Sequence, residues 1–234
     1  MRSHQFLLIM KTAKTTVITL LLFSAMMTSG QRYDAFLDQY HFNKNFESIP
    51  GKKTNEYPGV QGSPYLNSEF TQGYVLLKDS SAAIMPLRYN IYANDMEYLA
   101  GDQYFAIGNP LSLKMVILEG APFVYLMYDN GRGYFEVLAS GKSSLLLKRS
   151  VEFKPEEGPK PIEGTITPAR FVRNQDSYYI VKGISEPVHV SNMKSLIHAL
   201  GDKKQELEKY TDTEKLKRGS KENMIKVVEY YNSL

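Results

Sequence analysis

The chain has 234 residues, of which 43% are apolar, 23% charged and 12% aromatic, a balance that excludes a disordered or collagen-like protein. The formal charge of +3 lies in residues 1–30, where Arg2, Lys11 and Lys14 meet no acid; the rest of the chain is balanced, which gives no electrostatic reason to expect nucleic acid. With no cysteine there is no disulfide framework, thiol nucleophile, Cys-ligated metal or lipid anchor on a cysteine.

Residues 1–30 read as a cleavable signal peptide. Lys11-Thr12-Ala13-Lys14 is a basic start, the run from Val17 to Met27 is apolar, and Thr28-Ser29-Gly30 offers small residues before Gln31. Eleven apolar residues fall short of the roughly 20 that a membrane span needs, and the later sequence contains no transmembrane span. The extra apolar run from Phe6 to Met10 precedes the lysines, which a true start at Met10 would explain. Residues 31–68 form an N-terminal helix and loop segment. Tyr33, Phe36, Leu37 and Tyr40 have helical spacing, and Pro50-Gly51, Pro58-Gly59 and Gly62 mark loop.

Residues 69–190 form an antiparallel β domain. Strands are expected at Gly73–Leu77, Ile84–Tyr92, Met96–Leu99, Gln103–Ile107, Leu111–Ile117, Phe123–Tyr128, Tyr134–Ala139 and Leu145–Lys148, divided by turn residues. In the fifth of these, alternation puts Leu111, Leu113, Met115 and Ile117 on one face. Asp129-Asn130-Gly131 is the strongest hairpin signal, since Asn-Gly tolerates positive φ. Lys154–Pro168, with four prolines, is a long loop or a protruding hairpin arm. Arg170–Arg173 and Ser177–Val181 flank Asn174-Gln175-Asp176 and read as one more hairpin, followed by a strand at Val188–Val190.

Residues 191–234 are C-terminal helices packed on the sheet. Met193, Leu196, Ile197 and Leu200 form an apolar stripe between Ser191 as N-cap and Gly201 as stop. Asp202 with Gln205, and Thr211 with Glu214, have capping-box spacing. A last helix over Lys221–Asn232 starts at Ser220 and buries Met224, Val228 and Tyr231. The fold class is therefore α+β and β-rich: an antiparallel meander sheet, curved into a sandwich or partial barrel, with short C-terminal helices.

The densest polar and aromatic cluster is Pro86 to Tyr98. Alternation places Arg88, Asn90 and Tyr92 on one face and Leu87, Tyr89 and Ile91 on the other. Asp95 and Glu97 are a carboxylate pair of the type a hydrolase uses, although carboxylates so close in sequence are more often solvated. Arg88, Asn90, Tyr92, Asp95 and Glu97 are thus the candidate binding residues, with no catalytic residue, metal ligand or cofactor assigned. His189 and His198 lack the i, i+4 spacing of a helical metal pair, and no Gly-x-Ser-x-Gly elbow exists.

The series "PLRYNIYANDMEY", "GYFEVLASGKSSLLLK", "SYYIV" and "KVVEYYNSL" resembles a group of exported proteins of Bacteroidota over most of residues 60–234. That resemblance implies a Gram-negative envelope setting, in the periplasm or associated with the outer membrane, and carries no chemistry to transfer. A non-catalytic role is favoured, either binding another envelope protein or structural. A curved sheet enclosing a small apolar ligand such as a lipid is the alternative, suggested by Phe123–Tyr128 being apolar on both faces. A carboxylate-based hydrolase using Asp95 and Glu97 is the weakest.

Overall fold

The computed structural model describes residues 52–53, 57–129, 131–158, 164, 166–216 and 219–234. The expected leader and the helix expected over 33–40 lie outside the described residues. The remainder is a β-rich α+β fold: one large, open antiparallel sheet, a two-stranded ribbon and three C-terminal helices.

The strands are β1 (Lys52–Lys53), β2 (Thr71–Leu77), β3 (Ala82–Asn90), β4 (Asp95–Ala100), β5 (Gln103–Ala106), β6 (Leu113–Leu118), β7 (Ala121–Tyr128), β8 (Gly131–Ala139), β9 (Ser143–Lys148), β10 (Val151–Lys154), β11 (Arg170–Arg173), β12 (Ser177–Lys182) and β13 (Val188–Val190). Their order in the large sheet is β1-β5-β4-β3-β2-β6-β7-β8-β9-β12-β13, with β10 and β11 paired separately. Two meanders, β2 to β5 and β6 to β9, meet where β2 pairs with β6. Pro86 sits opposite Gln72 of β2, and the ladder to β4 stops at the next residue, Leu87 opposite Tyr98, because proline has no N–H to donate.

The sheet curls strongly. Tyr89 on β3 lies four strand steps from Tyr134 on β8, roughly 19 Å in a flat sheet at about 4.8 Å per step. Their ring centroids are 5.7 Å apart, as are those of Tyr89 and Phe123. The concave side is filled by Val75, Leu87, Tyr89, Met96, Val116, Phe123 and Tyr134, all almost fully buried.

Asn94, in the turn between β3 and β4, holds this curl at β8. Its Nδ2 donates to the Arg132 carbonyl (3.0 Å) while its Oδ1 accepts from the Tyr134 N–H (3.2 Å), so the side-chain amide occupies the edge of β8 beyond the end of β9. The same oxygen accepts from the Tyr89 hydroxyl (3.2 Å). Asn94 has φ 57°, a left-handed conformation that asparagine tolerates better than most residues.

Several boundaries and faces differ from the sequence reading. Asn174–Asp176 is not a hairpin turn: β11 pairs with β10, and β12 pairs with β9 and β13. The described residues of 143–182 instead pair as one long, bent hairpin whose ladder extends to a bridge between Glu157 and Thr167. Asn174 only bridges the bend, its N–H bonding the Ser150 carbonyl. The face expected for Leu111, Leu113, Met115 and Ile117 is also wrong. Leu111 lies in a 3-10 turn, and a bulge at Leu76/Leu77 breaks the register, so Leu113, Val116 and Leu118 are the buried residues. At the β7–β8 turn the positive φ falls on Asp129, because Gly131 is already paired with Tyr128.

The helices are α1 (Met193–Leu200), α2 (Lys204–Thr213) and α3 (Lys221–Ser233). The N-cap of α1 is Asn192, not Ser191, because Asn192 and Ser195 exchange reciprocal cap bonds. Thr211 is interior to α2, where its hydroxyl donates to the Glu208 carbonyl, and Asp202 does not cap that helix. Asp202 accepts from Lys182 (2.7 Å) and the Tyr231 hydroxyl (3.0 Å), tying the α1–α2 corner to β12 and α3. The apolar faces, including Leu196, Leu200, Leu207, Met224, Val227 and Val228, pack on Ala139, Leu145, Ile180 and Val190 of the sheet. The Asn232 amide donates to and accepts from the Ser143 backbone (2.9 Å each), an approach that a Cβ on Gly141 would block at 2.6 Å. Among the described residues, no helix is long and apolar enough to cross a membrane.

Candidate functional site

The polar cluster picked from sequence is brought together and closed on itself. Arg88 on β3 and Glu97 on β4 are cross-strand partners, and Nε (3.0 Å) and Nη2 (2.5 Å) of Arg88 both donate to Glu97 Oε2. Asn90 Nδ2 donates to Glu97 Oε1 at 3.0 Å. The Glu97 side chain is 0% exposed and that of Arg88 10%, so Glu97 is buried, against the expectation of a solvated carboxylate. The guanidinium lies over Tyr65 (3.9 Å), Phe70 (4.3 Å) and Tyr104 (4.9 Å), and Nη1 donates to the Ser68 carbonyl. Burial pushes the Tyr65 phenol up to about 12, so it stays neutral beside the cation.

This cluster pins the segment from Tyr65 to Phe70 onto the sheet. Both Glu97 oxygens are engaged and out of solvent, which leaves neither for proton transfer to a substrate. Asp95 faces Asn90 across the strands, and Tyr92 falls beyond the end of β3. The Tyr92 ring meets Tyr57 and Phe171 at 5.8 and 5.0 Å, apart from the Arg88 pair. Among the described residues, no group of His, Asp and Glu could hold a metal ion.

A different region has the geometry of a binding surface. Helices and the β10–β11 ribbon pack on one face of the sheet; on the opposite face, over β6, β7, β8, β9 and β12, no described element packs, and Phe135, Leu146 and Tyr179 are buried there by their strand neighbours. Strand alternation sends Phe123 inward and turns Val124, Leu126 and Tyr128 to this second face, where Phe135, Val137, Leu146, Tyr179 and Val181 join them. There, Met115, Pro122, Val124, Leu126, Val137 and Leu146 line a groove of about 360 Å³, with Val181, Ser140 and Ser144 at its side. That volume lies at the low end of the range for small-molecule pockets, about 300–1,000 Å³.

Lys148 sits on this same face, two residues along β9 from Leu146. Its Nζ rests against Gly133, where an added Cβ would approach it to 2.5 Å, and Gly133 pairs with the groove residue Leu126. The ammonium lies 5.1 Å from both the Tyr128 and Phe135 rings and 3.4 Å from Asn94 Oδ1. No carboxylate among the described residues is paired with it, and desolvation alone pulls its pKa down to about 8. Sequence reasoning registered Phe123–Tyr128 as apolar on both faces but passed over Lys148. Nothing in its local pattern distinguishes a lysine at a strand end from a solvated one.

No family model, curated protein or solved structure matches this chain, so the reading of the site rests on its own residues.

Proposed function

We propose that this protein is exported to the cell envelope and acts there without catalysis, holding a small apolar ligand on the uncovered face of its sheet. The observation that carries the reading is the groove lined by Val124, Leu126, Val137 and Leu146, an apolar channel on a face that no described element covers. The concave side is packed with the chain's own side chains, which supports the outer face over the enclosed interior for such a ligand. The leader-like residues 1–30 support export, and the engaged state of Glu97 removes the motive for a hydrolase.

A second reading is favoured by the other end of the sheet. Edge strand β13 leaves Val188 54% exposed, next to a fully exposed Ile184, which suits an added strand or docking surface from another envelope protein.

Nile red, a neutral apolar dye, tests the first reading. Its fluorescence is expected to rise on the purified mature protein and to fall back in Val124→Gln, whose circular dichroism stays that of the wild type. Wild-type protein that leaves the dye dark, and brings no small molecule with it in native mass spectrometry, refutes the reading. N-terminal sequencing of envelope-derived protein is expected to begin at Gln31.

A further inference from the structure

We propose that Lys148 is a head-group anchor, and that the groove takes a single-chain carboxylate, a free fatty acid, with its chain along Val124, Leu126, Val137 and Leu146 and its carboxylate on the Lys148 ammonium. The inference rests on the groove reading above and deepens it. Three observations converge on this ligand class.

The first is charge. Among the described residues Lys148 has no carboxylate partner, whereas Arg88, Arg149, Lys182, Lys203, Lys204 and Lys221 each face an acid within 4 Å. Its nearest groups are two aromatic faces and an amide oxygen already shared with Tyr134 and Tyr89. A cation held out of water by such neighbours is stabilised by an incoming anion more than a solvated lysine would be.

The second is placement. Gly133 leaves the space in which Nζ lies, so the ammonium sits over β8 at the residue that pairs with the groove residue Leu126. A chain lying in the groove therefore ends beside the charge. The third is size and form. One narrow groove of about 360 Å³ admits one acyl chain, and a single ammonium on a flexible stem matches one small anionic head. The desolvated state of Lys148 is in keeping with this arrangement.

The test is displacement of Nile red from the mature protein at pH 7 by dodecanoate, dodecanol and dodecyltrimethylammonium, on wild type and on Lys148→Gln. Dodecanoate is expected to displace the dye roughly ten- to a hundredfold more tightly than dodecanol, the range for a charge-assisted contact. Lys148→Gln brings the two level by weakening dodecanoate alone, and the cationic amphiphile is the poorest of the three. If the wild type binds dodecanoate no better than dodecanol, or if Lys148→Gln weakens both equally, the anchor is overturned while the groove reading survives. If Nile red does not bind at all, both fall. Preference for a two-chain phosphatidylglycerol over oleate, or a dimer in sedimentation that dodecanoate leaves intact, also overturns the fatty-acid assignment.

Discussion

Replacing Asn94 by glycine removes the amide that fastens the β3–β4 turn to β8 while keeping a residue at ease at φ 57°. Two buried donors then lose their acceptor: the N–H of Tyr134, a residue 2% exposed, and the hydroxyl of Tyr89, a residue 1% exposed. The Arg132 carbonyl, nearer the surface, can turn to water. At about 1–3 kcal/mol for each stranded buried group, with some relief from water entering at the turn, Asn94→Gly should cost about 2–4 kcal/mol. Asn94→Ala adds about 1 kcal/mol, because alanine resists the left-handed backbone. In a chain of this size 1 kcal/mol moves the thermal midpoint by about 2–4 °C, so the glycine variant should melt roughly 5–15 °C below wild type. Urea unfolding measures the loss directly, and hydrogen exchange at the Tyr134 amide locates it, with protection falling there ahead of the β12 amides. A glycine variant within about 0.5 kcal/mol of wild type, with the Tyr134 amide still protected, would refute the idea that this amide closes the curl.

Glu97→Gln leaves Arg88 charged and largely buried without its counter-ion, and should cost about 3 kcal/mol in urea unfolding, whereas the double change Arg88→Met with Glu97→Leu should recover most of that loss. Lys148→Met should raise stability at pH 7 by about 1–2 kcal/mol once solvent screening is allowed for. The folded-state pKa of Lys148 lies below its ordinary value, so the penalty of charging it is fully present below about pH 8 and fades as pH rises toward the ordinary lysine range. The groups facing it are the Tyr128 and Phe135 rings and the Asn94 amide, and unfolding curves from pH 7 to 10 should show the two proteins converging. Gly141→Ala should push Asn232 off the Ser143 backbone and cost about 1–3 kcal/mol, read as faster exchange at the Ser143 amide with the β6–β7 amides unchanged.

Local chemistry alone marked much of this fold. Alternating apolar residues and turn clusters located β2 to β9 and β11 to β13 to within two or three residues, because side-chain period and turn backbone geometry are properties of short segments. The stripe of Met193, Leu196, Ile197 and Leu200, and the Ser220 cap of α3, were legible for the same reason. What short segments do not encode is which strand a given strand will meet. Asn174–Asp176 has the composition of a hairpin turn, yet it is a bend in a longer hairpin whose ladder extends to Glu157 and Thr167. One register shift between Leu76 and Leu77 was enough to move the buried face of β6 beyond Leu113 from Met115 and Ile117 to Val116 and Leu118.

The candidate site divides along the same line. That Arg88, Asn90 and Glu97 belong together follows from alternation and a short turn, and the structure joins them, but only tertiary packing supplies the Tyr65, Phe70 and Tyr104 rings that make the group a buried clasp. The groove depends still more on distant chain. Helices some fifty residues or more downstream of β8 and β9 pack on one face of the sheet and no described element packs on the other, so the partial exposure of Val124 and the burial of Phe123 are decided outside their own strand. By itself the sequence determined a thiol-free, strand-rich body with a helical end. Which face is open, and the position of an unpaired lysine on it, follow from the curl of the sheet and the docking of the helices, since burial is a property of the whole packed chain and not of any segment.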